Sequence, residues 1–351
     1  MSGPLRQYRR NSTMANRVLC LVVFVLASCS QPHEPDPPDI EANLVYSVEA
    51  ELFNRQNTLA MGSDGVVYTT DIDGFAIRKY GATGDLRAKV GSRGEAPGEF
   101  TSGPRVISYD AGQVIVSGNP VNRMLHVFSD RLEYLARHRL KDFPLFQTAH
   151  EGAVYLPMMV QNDDGGTHVE VVRRDASGGQ STLFPVGEPI RGLHDMRGLM
   201  FSGGSLATDG KVMAYAYNFR NTIEIYSIEN PESGPLTTRL PGNLPSVTWE
   251  RHSASSQLSG EAAALLTGEP SAFAMTGSAV DNGRVFVLGG TLAEGHIQTV
   301  FIFNKTGTPV GMVKLPQHAY DIDVRDGMLV FLAMDGSLVK LQLDTRAYPS
   351  P

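Results

Sequence analysis

At six spaced places in this chain, an acidic residue followed within two positions by glycine is bounded by apolar runs, and an apolar strand follows it each time. The acids are Asp64, Asp110, Glu151, Asp209, Asp281 and Asp326, at intervals of 46, 41, 58, 72 and 45 residues. The apolar runs read VVYTT, QVIVS, AVYLPMM, KVMAYAY, RVFVLGG and MLVFLAM. After a polar turn, each copy then has a second strand, at 77–80, 124–128, 168–173, 222–228, 298–303 and 337–341. Asp-Gly suits a two-residue hairpin because Gly accepts positive φ and Asp tolerates it. One such turn carries little weight. Six with the same sequel demand a repeat architecture.

A unit of about 45 residues holding three or four strands is that of a β-propeller. The 36 glycines among 351 residues agree, since every hairpin needs residues that tolerate turn geometry. The expected fold is therefore all-β: a six-bladed β-propeller of four-stranded antiparallel blades, occupying 43–345 and followed by a short tail, 346–351. The blades are placed at 53–100, 101–145, 146–190, 199–245, 270–316 and 317–343. The last unit is one outer strand short, and an isolated apolar segment at 43–52 precedes the first. That N-terminal strand is expected to complete the last blade and close the ring, which removes exposed sheet edges. A pair of β-sandwiches would also show many short strands, but would not repeat one turn-and-strand unit six times. The longest break in the period is 244–270. Within it, SGEAAALLT at 259–267 combines helix formers with a capping serine, so a short helix is expected in this insertion between blades four and five.

The N-terminus has a different grammar. Arg6, Arg9, Arg10 and Arg17 precede an apolar run from Val18 to Ala27, and small residues follow. The run is too short to span a hydrocarbon core, which needs about 20 residues; it has the form of a secretory signal. Met14 is a second candidate start within it. Of the two cysteines, Cys20 lies inside this run and Cys29 closes it, so neither a disulfide nor a cysteine metal site is expected. Residues 1–28 are read as the signal, and 29–42, rich in proline and acid, as an extended tether. Without the signal the chain keeps 26 basic against 37 acidic residues. Such an acidic body argues against nucleic acid as a partner.

Two motifs carry a resemblance to known families. Leu26-Ala27-Ser28-Cys29 is similar to the lipobox of bacterial lipoproteins, which implies lipid on Cys29 and membrane attachment in the cell envelope, at the outer membrane facing the periplasm or the cell surface. Gly91-Ser-Arg-Gly94-Glu-Ala-Pro97-Gly98-Glu99-Phe100 resembles the blade join of NHL-type repeats. Together with the lipobox, the chain looks like the six-bladed propeller lipoproteins of the TolB-like group. The resemblance implies fold and location, and carries no catalytic residue to any position here.

Motifs for chemistry are absent from the sequence. There is no G-x-S-x-G elbow, no H-E-x-x-H, no EF-hand loop and no phosphate-binding glycine pattern. The nine histidines show no i, i+2 or i, i+4 pairing, and no metal or other cofactor is expected. In a propeller the loops between second and third strands share one face with the blade-to-blade joins. Applying that rule places Asp73, Arg93, Asn119, Asn122, Arg123, His194, Asp195, Arg197, Asn218, Arg220, Asn221, His318, Tyr320 and Asp321 around one mouth. Arg93, Asn119, Arg123, His194, Arg197, Arg220 and His318, with the single tryptophan Trp249, are the candidate ligand-binding residues. Arginine forks suit carboxylates and polar ligands, while Asn122, Asn218 and Asn221 also fit plain turns. The expected function is a monomeric binding or scaffold module for an envelope protein, a saccharide or another small polar ligand. The alternative is a hydrolase or lyase of the gluconolactonase or virginiamycin-lyase kind, with a divalent metal in the central channel; a third possibility is an assembly role in an envelope complex.

Overall fold

The computed structural model describes residues 37–54, 57–118, 123–140, 143–161, 167–175, 179–190, 203–218, 220–241, 248–251, 264–267, 273–291 and 297–347. Strand β1 (Ala42–Glu49) opens the described chain. Blade one follows as β2 (Leu59–Met61), β3 (Val67–Asp71), β4 (Ala76–Tyr80) and β5 (Leu86–Val90). Blade two is β6 (Val106–Asp110), β7 (Gln113–Ser117), β8 (Met124–Ser129) and β9 (Tyr134–Arg139). Blade three has two short inner pieces, β10 (Phe143–Pro144) and β11 (Thr148–His150), both pairing with β12 (Ala153–Gln161), then β13 (Thr167–Arg174) and β14 (Gln180–Ile190). Blade four is β15 (Gly204–Thr208), β16 (Val212–Tyr217), β17 (Ile223–Ser227) and β18 (Leu236–Thr238). A separate ribbon, β19 (Thr248–Arg251) with β20 (Ala264–Thr267), lies between blades four and five. Blade five is β21 (Phe273–Asp281), β22 (Arg284–Thr291), β23 (Ile297–Asn304) and β24 (Pro309–Lys314), and blade six supplies β25 (Ala319–Arg325), β26 (Met328–Ala333) and β27 (Ser337–Leu343). All neighbouring strands within the blades run antiparallel.

The ring is closed. Strand β25 touches β2, and the contacts pass from β2 to β6, β11, β15 and β21 and back to β25. As expected, the N-terminal strand completes the last blade: β1 pairs with β27 from Ala42 opposite Leu343 to Glu49 opposite Ser337. The repeated turns also have the expected geometry. Asp64-Gly65, Ala111-Gly112, Glu151-Gly152, Asn282-Gly283 and Asp326-Gly327 each carry positive φ at both positions, the type I′ form. Blade four differs: Asp209 closes its turn with its own carboxylate, which accepts from the N–H of Lys211 and Val212.

The core lies between blades rather than within them. Each seam holds an apolar cluster, such as Tyr46, Leu52, Met61, Val67 and Val330 between blades six and one, or Tyr68, Phe100, Val116 and Phe128 between one and two. A four-stranded sheet cannot bury both faces alone, so these seams are what make six copies stable together.

Two expectations are corrected. The helix expected at 259–267 is not formed at its C-terminal end, where 264–267 pair as a strand with Thr248–Arg251; residues 259–263 lie outside the described set. Helix propensities differ by only about 0.7 kcal/mol per residue among ordinary residues, so a partnered ladder overrides them. The tether read at 29–42 ends sooner than expected, because Pro38–Ile40 dock on blade five. The N–H of Ile40 donates to Met312 O at 2.7 Å, and that of Met312 to Pro38 O at 2.9 Å. Ile40 is buried in the seam between blades five and six, and the missing Cβ of Gly311 leaves it room. Ile40→Ala is expected to cost about 2 kcal/mol, as for other buried truncations. Urea unfolding would measure it; a change below about 0.5 kcal/mol, the level of surface substitutions, would mean the segment is not anchored there.

Candidate functional site

The innermost strands enclose a central cavity of about 1560 Å³. Its wall runs from Thr58, Arg105 and Asn218, where these strands begin, to Asp110, Asp209 and Asp281, where they end. Each innermost strand has one edge with no strand beside it, and its N–H groups need other acceptors. In β2 the residues flanking the ladder show how this is met. Thr58 and Gly62 exchange backbone bonds with the β3 side, so Leu59 and Met61 direct their N–H away from it. These two groups donate to blade six: Leu59 N to Asp321 Oδ2 at 2.8 Å and Met61 N to Asp323 Oδ2 at 2.7 Å. Spacing of two along β25 puts both carboxylates on one side of the strand.

Desolvation dominates the electrostatics of this pair. Burial, reinforced by the charge of Asp323, pushes Asp321 up to about 8, and burial also raises Asp323. Asp281 is raised for the same reason, although backbone N–H groups of Asp326 and Gly327 oppose the shift.

The carboxylates at the far end of the inner strands have a second task that their turn chemistry does not reveal. Asp110 accepts from Gly152 N at 2.5 Å, and Asp209 from Gly283 N at 2.7 Å. With Asp281 bonded to the Asp326-Gly327 turn, three blades tie the glycine turn of the next blade by the same device. The recurring acid therefore couples blades as well as shaping hairpins.

The next seams continue the pattern. Thr58 Oγ1 donates to Arg105 O at 2.8 Å and accepts from Ile107 N at 3.0 Å, joining blades one and two. Gln147 Nε2 donates to Ser108 Oγ and to Ile115 O, joining two and three. From there onward the wall changes character. Gln147 Oε1, Ser205 Oγ, Asn218 Oδ1, Thr276 Oγ1 and Ser278 Oγ are buried with no protein partner, and all five residues line the cavity.

The residues proposed from sequence are dispersed by comparison. Asn218, Tyr320 and Asp321 line the cavity. Arg93, Arg123, Arg220 and His318 do not: the Arg93 guanidinium lies over the Phe75 ring at 5.5 Å, and that of Arg220 over Tyr217 at 5.1 Å. The main-chain carbonyls of Arg123 and His318 accept from Leu140 and Met334. Asn221 serves its turn, with Oδ1 accepting from Leu240 N, and Trp249 sits on β19 opposite Leu266. Asn119, Asn122, His194, Asp195 and Arg197 lie outside the described residues. The glycine-rich join is self-contained: Glu99 folds back onto Ser92 Oγ and Ala96 N, and Phe100 fills the seam. Among the described residues, no three His, Cys, Asp or Glu side chains are grouped to hold a metal ion. Asp323 was missed, yet a signal was present, since AYDIDVR places two acids at alternate positions of an otherwise apolar inner strand.

No family model and no curated protein sequence matches this chain. Solved structures do. A member of the DUF4221 family from Bacteroides vulgatus superposes with a TM-score of 0.55 at 9% identity, covering 88% of this chain and 99% of that one. The likeness is one of fold. BamB from Moraxella catarrhalis (TM-score 0.45, 10% identity, 86% of this chain and 100% of that one) and virginiamycin B lyase from Staphylococcus aureus (TM-score 0.45, 12% identity, 86% and 99%) are also similar. At those scores they add nothing to the architecture already described. Among the described residues no helix is long and apolar enough to cross a membrane.

Proposed function

We propose that the protein is a lipid-anchored envelope propeller that binds a small polar ligand in its central channel. The observation that supports this most is the channel itself. Its volume of about 1560 Å³ exceeds the roughly 300–1,000 Å³ of ordinary small-molecule pockets, and its wall is rich in hydroxyl, amide and carboxylate groups. The ring of interlocked inner strands gives that wall the rigidity that binding needs, because preorganised groups need little ordering on association. Attachment rests on Leu26-Ala27-Ser28-Cys29, with Cys29 carrying the lipid and the propeller held at the membrane surface. The outer membrane, facing the periplasm or the cell surface, is the proposed location.

Binding is tested by thermal shift of the full chain against a library of small polar metabolites. A ligand present at a hundred times its Kd stabilises the folded state by about 2.7 kcal/mol, which moves Tm by several degrees. A library in which nothing shifts Tm would sink the binding reading, and product formation in the same samples would favour the enzyme alternative. Anchoring is tested separately. Wild type is expected to take up labelled fatty acid and sediment with membranes, whereas Cys29→Ala is expected to do neither. A Cys29→Ala protein that still sediments with membranes would refute the anchor.

A further inference from the structure

The two halves of the channel wall differ in a way that no strand pattern requires. From blade six through blade two, the inner-strand side chains Asp321, Asp323 and Thr58 of the channel wall are engaged with the neighbouring blade, and the buried polar atoms without a partner on that side, such as Tyr46 Oη and Tyr80 Oη, lie in seams away from the cavity. From blade three through blade five, five polar atoms are buried without a protein partner. They are Gln147 Oε1, Ser205 Oγ, Asn218 Oδ1, Thr276 Oγ1 and Ser278 Oγ. Buried polar atoms are almost always paired, and leaving one unpaired costs stability. Five in one arc of one cavity point to a purpose outside the fold.

Their placement is coherent. Blades three, four and five are consecutive, and β11, β15 and β21 touch in that order. Met275 N donates to Asn218 O at 3.0 Å, which sets Asn218 beside Thr276 across the seam between blades four and five. Ser278 is two residues further along β21, and both residues line the cavity. Phe146, half-buried, lies next to Gln147 in the cavity wall.

We infer that the blade three-to-five half of the channel is a binding site for a neutral polyhydroxylated ligand, a mono- or disaccharide. This rests on the reading of the channel as the binding site and names the ligand's chemistry. Two of the five atoms, Gln147 Oε1 and Asn218 Oδ1, can only accept, so the ligand must donate. The other three are hydroxyls that donate or accept as needed. A vicinal diol meets both demands with one group. None of the five atoms belongs to an ionisable side chain; of the ionisable residues that line the same arc, His150, Asp209, Lys211 and Asp281 sit where the inner strands end, and Asp209 and Asp281 are bonded there to the glycine turn of the next blade. Phe146, packed against the apolar core of blades three to five, adds an apolar residue to the cavity lining. All five atoms are covered in the ligand-free structure although their residues line the cavity, so engaging a ligand requires their side chains to turn towards it.

The test uses the full chain in detergent, titrated calorimetrically with a panel of neutral hexoses, N-acetylhexosamines and disaccharides. At least one is expected to bind. The double variant Thr276→Val/Ser278→Ala is expected to weaken that binding by about tenfold or more, the effect of losing one or two hydrogen bonds. Its ligand-free Tm is expected to equal or exceed that of wild type, because unpaired buried hydroxyls have been removed. Loss of binding together with gain of stability is the signature, since a purely structural hydroxyl would give the opposite sign of Tm. Should the double variant fold poorly, Asn218→Ala takes its place: weaker sugar binding supports the arc as the site, and unchanged affinity overturns it. If no saccharide binds but a charged or apolar compound does, the inferred ligand class is wrong while the channel remains a binding site. If no compound of any class binds, the wider binding reading fails. A crystal structure with sugar elsewhere, or with only ordered water along the arc at saturating sugar, would also overturn it.

Discussion

Removal of residues 37–49 is expected to abolish the cooperative unfolding transition and leave an aggregating chain. Strand β1 is the outer strand of blade six, and without it the backbone groups of β27 from Ser337 to Leu343 lose their partners along one edge. The deletion also takes Tyr46 and Ile40 out of two seams. Each large buried side chain is worth about 2–5 kcal/mol, and each lost backbone hydrogen bond about 1 kcal/mol net. Their sum is comparable with the whole stability of a domain, about 5–15 kcal/mol. The bare edge would then template association between chains. Differential scanning calorimetry and light scattering on the truncated protein check this. A monodisperse variant with wild-type Tm would show that blade six does not depend on its borrowed strand.

The second large effect concerns Asp321. Its carboxyl is raised from the ordinary 3.8 to about 8, chiefly by burial. Between those two values the folded protein holds one proton that the unfolded chain has released. Stability from this group is therefore complete below about pH 4 and declines as pH rises towards 8, by up to about 1.4 kcal/mol per unit. Asp321→Asn removes the titration while its amide oxygen can still accept from Leu59 N. The variant is expected to match wild type at pH 4 and to exceed it at pH 8 by on the order of 3 kcal/mol, a figure reduced because the side chain is partly open to the channel. Asp71, whose carboxyl Arg78, the Gly74 N–H and Lys89 hold low, changes stability only at the acid end of this range and alike in both proteins, so the difference between variant and wild type is the quantity to plot. Urea unfolding across this pH range decides the matter. Parallel curves for the two proteins would mean that Asp321 ionises normally.

Much of the architecture was legible because it is written locally. Asp-Gly turns and the strands after them lie within a few residues of each other, and six copies at comparable spacing leave little choice of fold. Ring closure was legible by subtraction, from a last blade one strand short and an orphan strand at the start. The site was not legible in the same way. Asp321 meets Leu59 across 262 residues of sequence, and no period announces which side chain of one blade will reach the next. Arg93 and Arg220 looked exposed and available, yet each covers an aromatic ring of its own blade. The expected helix in the insertion failed because Ala and Leu state a weak preference that a paired strand overrides. Ile40 was hidden in a run of prolines and acids, where a single apolar residue makes no pattern. Unpaired hydroxyls such as Ser278 Oγ cannot be seen in sequence at all, because their meaning lies in what fails to approach them.

The pairing of β1 with β27 also dictates an order of assembly. The first described strand emerges from the ribosome early and must wait for almost the last, since Ala42 lies opposite Leu343. Blades one to five can each form from contiguous sequence while the chain is still growing. Blade six cannot be completed until both ends are present. A contact spanning nearly the whole polypeptide has the highest loop-closure cost in the molecule, and such contacts slow folding. Pairing of β1 with β27 is therefore expected to be the slowest of the blade-forming contacts, and until it forms the outer edge of β27 has no strand beside it.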